Sequence, residues 1–306
     1  MANRIVVVGS SNTDMIVQAA RIPRPGETIL GGAFTMAAGG KGANQAVGAA
    51  RAGGQVTFVA RVGDDLFGRQ AIEGFRKDNI DVTHVTRDTG APSGVALICV
   101  AADGENSIVV ASGANGRLSP ADVQAAKEAI TKAAVLLCQL ETPIETVKAA
   151  VEMAAAAGVR VILNPAPARP LDDALLKHVS VITPNETEAE LLTSVKVEDD
   201  AGAARAAAHL RTRGVGIALI TLGARGTFVC ADGVSEIVPT FKVEPVDTTA
   251  AGDVFNGALA VALAEGKPLP EAVRFANAAG AISVTRLGAQ PSAPKRAEIE
   301  ALVNGK

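Results

Sequence analysis

Asp247–Asp253, DTTAAGD, is the densest concentration of candidate chemistry in the chain. It follows the strand-like stretch Phe241–Val246 and opens a helix read from Gly252 to Glu265. Ala250, Ala251 and Gly252 are small, so phosphate oxygens can approach the backbone closely there. The first N–H groups of a helix have no internal partner, and the helix dipole favours negative charge at that end. Asp253 falls in the first turn beside this anion site, where a carboxylate can take a proton from an attacking hydroxyl. An acid in a first turn also stabilises a helix with no chemistry at all. Two Asp residues bracketing small ones favour the functional reading.

Ala38–Asn44, AGGKGAN, is a glycine-rich turn with Lys41 entering a helix. It is not a Walker A loop, which would need Gly at 35 and Ser or Thr at 42, where the chain has Thr35 and Gly42. The first turn, Gly9-Ser10-Ser11-Asn12, also lacks the glycine spacing of a dinucleotide fold. AGGKGAN can instead lay Gly40 backbone and the Lys41 and Asn44 side chains against a polar ligand. Asn12 and Asp14 lie just past the first strand, where together they can grip adjacent sugar hydroxyls or equally form an Asx-type turn. Glu141 follows the strand Val135–Leu140. Asn185 and Glu188, in TPNETEAE, also follow a strand end and fit a helix capping box equally well. Thr221–Gly226, TLGARG, closes another strand, with Arg225 able to meet a phosphate.

Positioning these residues requires strands that end on one side. Ile5–Val8, Val56–Ala60, Val135–Leu140, Val159–Leu163, Val179–Ile182 and Ile217–Thr221 read as buried strands. Helices are read at Asn44–Ala52, Leu66–Lys77, after the Ser119-Pro120 cap, at Leu269–Val284 and at Lys295–Val303. Another follows a capping box read from Thr142 to Glu145 and stops at Gly158. The alternation implies an α/β fold: a doubly wound, mostly parallel sheet with helices on both faces, in one main domain spanning 1–306. Residues 14–38 and 94–112 break the rhythm with short antiparallel pieces, the second a hairpin turning at Asp103-Gly104. They predict a small β-sheet lid standing off the main domain, with an antiparallel edge on the main sheet as the alternative.

Composition narrows the classes. Of 306 residues, 48% are hydrophobic and 3% aromatic, with no Trp or Tyr, so the core must be aliphatic and base stacking is disfavoured. A net charge of −3 without a basic stripe disfavours a nucleic-acid partner. Cys99, Cys138 and Cys230 sit in apolar runs without metal-ligand spacing. No signal peptide or membrane span is read, so the expected location is cytoplasmic.

In this order, GSSNTD, AGGKGANQA, NPAPA, TPNETE, TLGARG, DTTAAGD and GAQPS resemble the ribokinase family of carbohydrate kinases over nearly the whole chain. The resemblance implies transfer of phosphate from ATP to a sugar hydroxyl, and NPAPA with GAQPS implies the 5-hydroxyl of D-ribose. It makes Asp253 the catalytic base and Ala250, Ala251 and Gly252 an anion hole. Sugar contacts fall on Asn12, Asp14, Gly40, Lys41, Asn44, Glu141 and Asp253. Nucleotide contacts fall on Asn185, Thr221, Leu222, Gly223, Ala224, Arg225, Gly226, Gly252 and Asn277. Glu188 is implied in indirect handling of Mg2+, and Asp247, Thr249, Ser283, Arg286, Gly288 and Ser292 in holding an activating K+. The inserted β segments are implied to form a homodimer contact. The alternatives are a kinase for 2-deoxyribose or a nucleoside, and a non-catalytic sugar or nucleotide sensor.

Overall fold

The computed structural model describes residues 3–305. The strands are β1 (Arg4–Val8), β2 (Asn12–Ala19), β3 (Phe34–Gly39), β4 (Gln55–Gly63), β5 (Val85–Asp88), β6 (Gly94–Ala101), β7 (Asn106–Ala111), β8 (Val135–Cys138), β9 (Arg160–Leu163), β10 (Val181–Ile182), β11 (Ile217–Thr221), β12 (Thr227–Ala231) and β13 (Val234–Val238). The helices are α1 (Lys41–Arg51), α2 (Leu66–Lys77), α3 (Pro120–Ala125), α4 (Lys127–Thr131), α5 (Ile144–Ala156), α6 (Asp173–Leu176), α7 (Glu186–Thr193), α8 (Asp200–Thr212), α9 (Ala251–Ala264), α10 (Leu269–Ser283) and α11 (Arg296–Val303).

Nine strands form the main sheet in the order β13-β12-β11-β10-β9-β8-β1-β4-β5. From β5 to β11 all neighbours run parallel, and β12 and β13 add an antiparallel edge. Strand β1 shows why both faces are covered. Ile5 and Val7 point into one apolar cluster with α1, α9 and α10, while Val6 and Val8 point into the other with α5 and α8. Alternation of period two therefore buries every residue from Ile5 to Val8, which is why the strand reads as an unbroken apolar run. The chain leaves β1 for β4 on one side and returns to β8 on the other, so β1 is the switch point of the sheet. In open parallel sheets the crevice past the carboxyl ends at that point is where ligands bind.

Strands β3-β2-β6-β7 form a separate four-stranded sheet from the two segments that break the βα rhythm. Its register sets one face apart from the other. Met36, Met15, Leu97 and Val109 form one cross-strand row, and Ala37, Asp14, Ala96 and Val110 form the neighbouring row on the opposite face. Among the described residues no helix is long and apolar enough to cross a membrane.

Three local readings are corrected. Phe241–Val246 carries no ladder: Lys242, Glu244 and Pro245 interrupt it, Pro245 has no N–H to donate, and Phe241 lies under the guanidinium of Arg274. The capping box at Thr142 does not form. Pro143 is the N-cap (φ −55°, ψ 136°), so Glu145 falls one position short of the box register, and Thr142 Oγ1 is buried without a partner. Helix α1 begins at Lys41, three residues before the helix read from sequence, so Lys41 and Asn44 ride on its first turn.

Candidate active site

Asp253 sits in the first turn of α9, whose N-cap Ala250 takes the left-handed conformation (φ 59°, ψ 12°). That region costs an L-residue on the order of 1–2 kcal/mol, and here it turns the chain sharply into the helix. A Cβ placed on Gly252 would meet nothing within 4 Å, so the backbone at the helix start faces open space. Asp253 itself is only 6% exposed. Asn44 Nδ2 donates to Asp253 Oδ2 at 3.0 Å and Gln45 Nε2 donates to Oδ1 at 2.9 Å.

The helix crossing explains how residues so distant in sequence meet. A Cβ on Gly257 would lie 2.5 Å from Ala49 N and 2.7 Å from Gln45 O. The absence of that carbon lets α9 lie directly on α1. Asn44 and Gln45 stand one turn before Gly48 and Ala49, and Asp253 one turn before Gly257, so the close crossing brings the amides onto the carboxylate.

Around this pair lie the other candidate sugar contacts. Glu141 Oε2 accepts from Ser10 Oγ at 2.5 Å and from Lys41 N at 2.9 Å. Asn12, buried, accepts at Oδ1 from Asn115 Nδ2 at 2.7 Å, and Asn115 Oδ1 accepts from Ser11 N at 2.8 Å. Gly39 leaves the space that Asp14 fills, since a Cβ there would sit 2.2 Å from Asp14 Oδ2. Gly40, at φ 88°, presses its backbone against Ser11 and Asn12.

The electrostatics are those of a crowded acid cluster around one ammonium. Burial, then the charges of Glu141 and Asp253, push Asp14 up to about 6 against the pull of Lys41. Burial also raises Asp253, opposed by Lys41 and by the Asn44 and Gln45 amides. Burial pulls Lys41 down, but Asp253, Glu141, Glu188 and Asp14 outweigh it and hold the ammonium charged. Glu188 is raised, chiefly by burial.

The sequence singled out Asp253, Asn44, Lys41, Asp14, Asn12 and Glu141 as candidates but not the residues that hold them. Asn115 had no signal, and Ser10 lies in GSSNTD with no role read for it. Gln45 and Asn164 lie inside quoted motifs, AGGKGANQA and NPAPA, yet only the fold shows that Gln45 Nε2 also donates to Asn164 Oδ1 at 3.0 Å.

The other half of the crevice is built differently. A parallel bridge joins Asn185 to Thr221, bringing those two candidates together. Asn185 and Glu188 form a full capping box on α7: Asn185 N donates to Glu188 Oε2 at 2.9 Å, and Glu188 N donates to Asn185 Oδ1 at 2.8 Å. Gly223 (φ 56°) faces open space, and Leu222 is buried beneath it. Ala224 and Arg225 complete the short turn after β11, which Gly226 closes at φ 104°. Arg225 is committed elsewhere than the sequence suggests. Its guanidinium pairs with Glu186 at 2.6 Å and Asp200 at 2.9 Å, so two carboxylates already balance it. Asn277 is likewise a tie within the protein, not an open hydrogen-bonding group. It is buried, accepts from Thr227 Oγ1 at 2.7 Å and donates to Val238 O at 3.0 Å.

The loop pair around 247 and 288 does come together. Thr249 N donates to Asp247 Oδ1 at 2.9 Å and Gly288 N donates to Oδ2 at 2.8 Å. The hydroxyls of Ser283 and Ser292, both buried, donate to the carbonyls of Gly280 and Ala289, which leaves their oxygens able to accept. Arg286 is held by Glu298. Among the described residues no group of three or more His, Cys, Asp or Glu side chains could hold a metal ion.

The model of the pfkB family of carbohydrate kinases matches residues 2–296. The chain is 47% identical to a ribokinase of Haemophilus influenzae, over 97% of both chains. It is 38% identical to a deoxyribokinase of Salmonella typhi, over 95% of both. The structure of Arabidopsis thaliana ribokinase complexed with ribose and ATP superposes with a TM-score of 0.92, at 35% identity, covering 99% of each chain.

Proposed function

The chain belongs to the pfkB family of carbohydrate kinases, and from that premise we propose that it transfers the γ-phosphoryl group of ATP to the 5-hydroxyl of D-ribose. A bond forms between the sugar oxygen and the γ-phosphorus, the bond to the β–γ bridging oxygen breaks, and ADP leaves. The hydroxyl proton passes to Asp253. The observation that carries the reading is the buried Asp253 carboxylate, fixed by two amides beside the open backbone at Gly252.

Each residue then has a physical task. Asp14, Asn12, Asn44 and Glu141 bind and orient the sugar, and Lys41 keeps the surrounding carboxylates from repelling the nucleotide. Backbone N–H groups at Ala250 and Gly252 receive the charge that develops on the moving phosphoryl group, with Ala251 N, which donates to Thr248 O at 3.3 Å, between them. Thr221, Leu222, Gly223, Ala224 and Gly226 form the turn against which the nucleotide lies. Magnesium arriving with ATP would supply positive charge that offsets the phosphates. Glu188 has one carboxylate oxygen outside its capping bond and fits a water-mediated contact to that ion. The oxygens of the 247 and 283–292 loops fit a large monovalent cation such as potassium, which would brace the start of α9.

The four-stranded sheet is the lid. Its Asp14 face covers the sugar and excludes water during transfer. Its opposite face exposes Phe34, Met36, Leu97 and Val109, the largest of them 65% exposed, and a second copy of the chain fits that apolar face. Val109→Glu is expected to shift the protein toward monomer in sedimentation velocity, and an unchanged profile would remove this face from the dimer.

The second reading is a deoxyribose kinase, favoured by the Salmonella typhi relative. ADP release with MgATP and potassium across ribose, 2-deoxyribose, fructose, adenosine and no sugar separates them. Release that depends on ribose supports the proposal. A preference for 2-deoxyribose or adenosine transfers the chemistry to another acceptor, and equal silence with all supports a sensor.

A further inference from the structure

We propose that Gln45 is a positioning residue for the reaction: its amide fixes the Asp253 carboxylate and keeps it in the proton-accepting form. The inference rests on the phosphoryl-transfer reading of Asp253.

Gln45 is fully buried and every polar valence of its amide is used. One N–H donates to Asp253 Oδ1 at 2.9 Å and the other to Asn164 Oδ1 at 3.0 Å. Its oxygen accepts from Gln139 Nε2 at 2.5 Å. Asn164 in turn donates to Thr183 O at 3.0 Å. The orientation is fixed by these neighbours. Rotating the amide by half a turn would set its oxygen against two acceptor oxygens, Asp253 Oδ1 and the Asn164 oxygen whose amide partner is committed to Thr183 O. The chain of amides therefore presents a donor to Asp253 and cannot present an acceptor. Residues just past three strand ends (β8, β9 and β10) anchor that chain.

A buried carboxylate that accepts hydrogen bonds is favoured in its charged form, and a buried one that loses them is not. The charged groups facing Asp253 are Lys41 on α1, Asp14 on β2, Glu141 in the turn after β8 and Glu188 on α7. Three are acidic, so Lys41 alone among side-chain charges opposes proton capture by Asp253. The neutral donors from Asn44 and Gln45 supply the rest. Asn44 is also a candidate sugar contact, whereas Gln45 lies behind the carboxylate and is free to act on it alone.

The test is the pH dependence of kcat at saturating ribose and MgATP for the wild type, Gln45→Leu and Gln45→Glu. Saturating sugar keeps the titration of Asp14 out of the measurement. In Gln45→Leu the midpoint of the acidic limb is expected to rise by about one pH unit, a loss of about tenfold in kcat below the limb that closes as pH rises. Gln45→Glu sets a second carboxylate beside Asp253 and is expected to move the midpoint further. A loss that is uniform across pH, with the midpoint unmoved in both variants, overturns the inference and leaves Gln45 a packing residue. Gln45→Glu matches glutamine in size and carries the test if the leucine variant does not fold. Carbon-13 NMR of Asp-labelled protein gives a readout that needs no turnover, the Asp253 signal being the one lost in Asp253→Asn. If the wild type lacks sugar-dependent turnover, the kinase reading fails. The carboxyl titration then still decides whether Gln45 acts on Asp253, by moving upward in the variants or by staying in place.

Discussion

The two halves of the crevice are finished to different degrees. On the sugar side, burial and crowding raise the Asp14 and Asp253 carboxyls, Asp14 to about 6, and the Asn44 oxygen is buried without a partner. On the nucleotide side, Asn277 and Arg225 are engaged inside the protein, and Asn185 and Glu188 are tied to each other through a capping box that leaves one Glu188 oxygen free. Unmet polar capacity in a buried place costs stability and is kept where a ligand completes it. On the proposed reading the sugar is recognised by side chains whose charge state matters, and the nucleotide is received mainly by backbone and by space.

The largest effect that tests this contrast is at Asp253. Asp253→Asn removes the proton acceptor and is expected to lower kcat at least ~100-fold with little change in ATP KM. Turnover within a few fold of wild type would place the base elsewhere. Asp14→Asn should weaken ribose binding by about 1.5–3 kcal/mol, the usual range for hydrogen bonds to a charged group, and leave ATP KM unchanged. In the wild type, ribose KM should rise as pH falls through about 6, because the protonated Asp14 loses acceptors.

The same shift has a stability consequence with the opposite sign. The Asp14 pKa is higher in the folded chain than in the unfolded one, so its charge destabilises the fold above about 6, and the penalty fades as pH falls toward the unfolded value of 3.8. Asp14→Asn should thus melt higher than wild type at pH 7.5, with the two converging near pH 4. Equal melting at both pH values would mean that Asp14 is not under electrostatic strain.

Gly257→Ala attacks the sugar side through its framework. The added carbon meets Ala49 N and Gln45 O and must part α1 from α9. We expect a loss of roughly 1–3 kcal/mol in stability, as for other overpacked cores, with a fall in kcat as the amides leave Asp253. Melting and kcat unchanged together would show that the crossing has slack. On the nucleotide side, Asn277→Ala should cost about 1–2 kcal/mol in stability, because Thr227 and Val238 lose a buried partner. Its ATP KM should hold, and a KM that rises without a drop in melting temperature would break the contrast.

The sequence discloses these halves unequally for a physical reason. Strands such as Ile5–Val8 are legible because burial on both faces leaves an unbroken apolar run. Phe241–Val246 alternates apolar and charged residues but carries Pro245, which cannot donate to a ladder, and it stays outside the sheet although β13 is an edge strand. Asp253, Lys41 and Asn44 are legible because a helix start, small residues and a charged group stand together locally. The residues that hold them are not: Asn44 and Asp253 are 209 positions apart, and Ser10 and Glu141 are 131 apart. The engagement of Asn277 and Arg225 was hidden in the same way, since Thr227, Val238, Glu186 and Asp200 become their neighbours only after folding.

The most direct measurement of the central claim is the product itself, followed by phosphorus-31 NMR in a mixture of protein, MgATP, potassium and D-ribose. The account predicts a sugar phosphate on the ribose 5-hydroxyl, growing in step with ADP and absent when ribose is omitted. ADP accompanied by inorganic phosphate alone, or by phosphate on another position of the sugar, would contradict it.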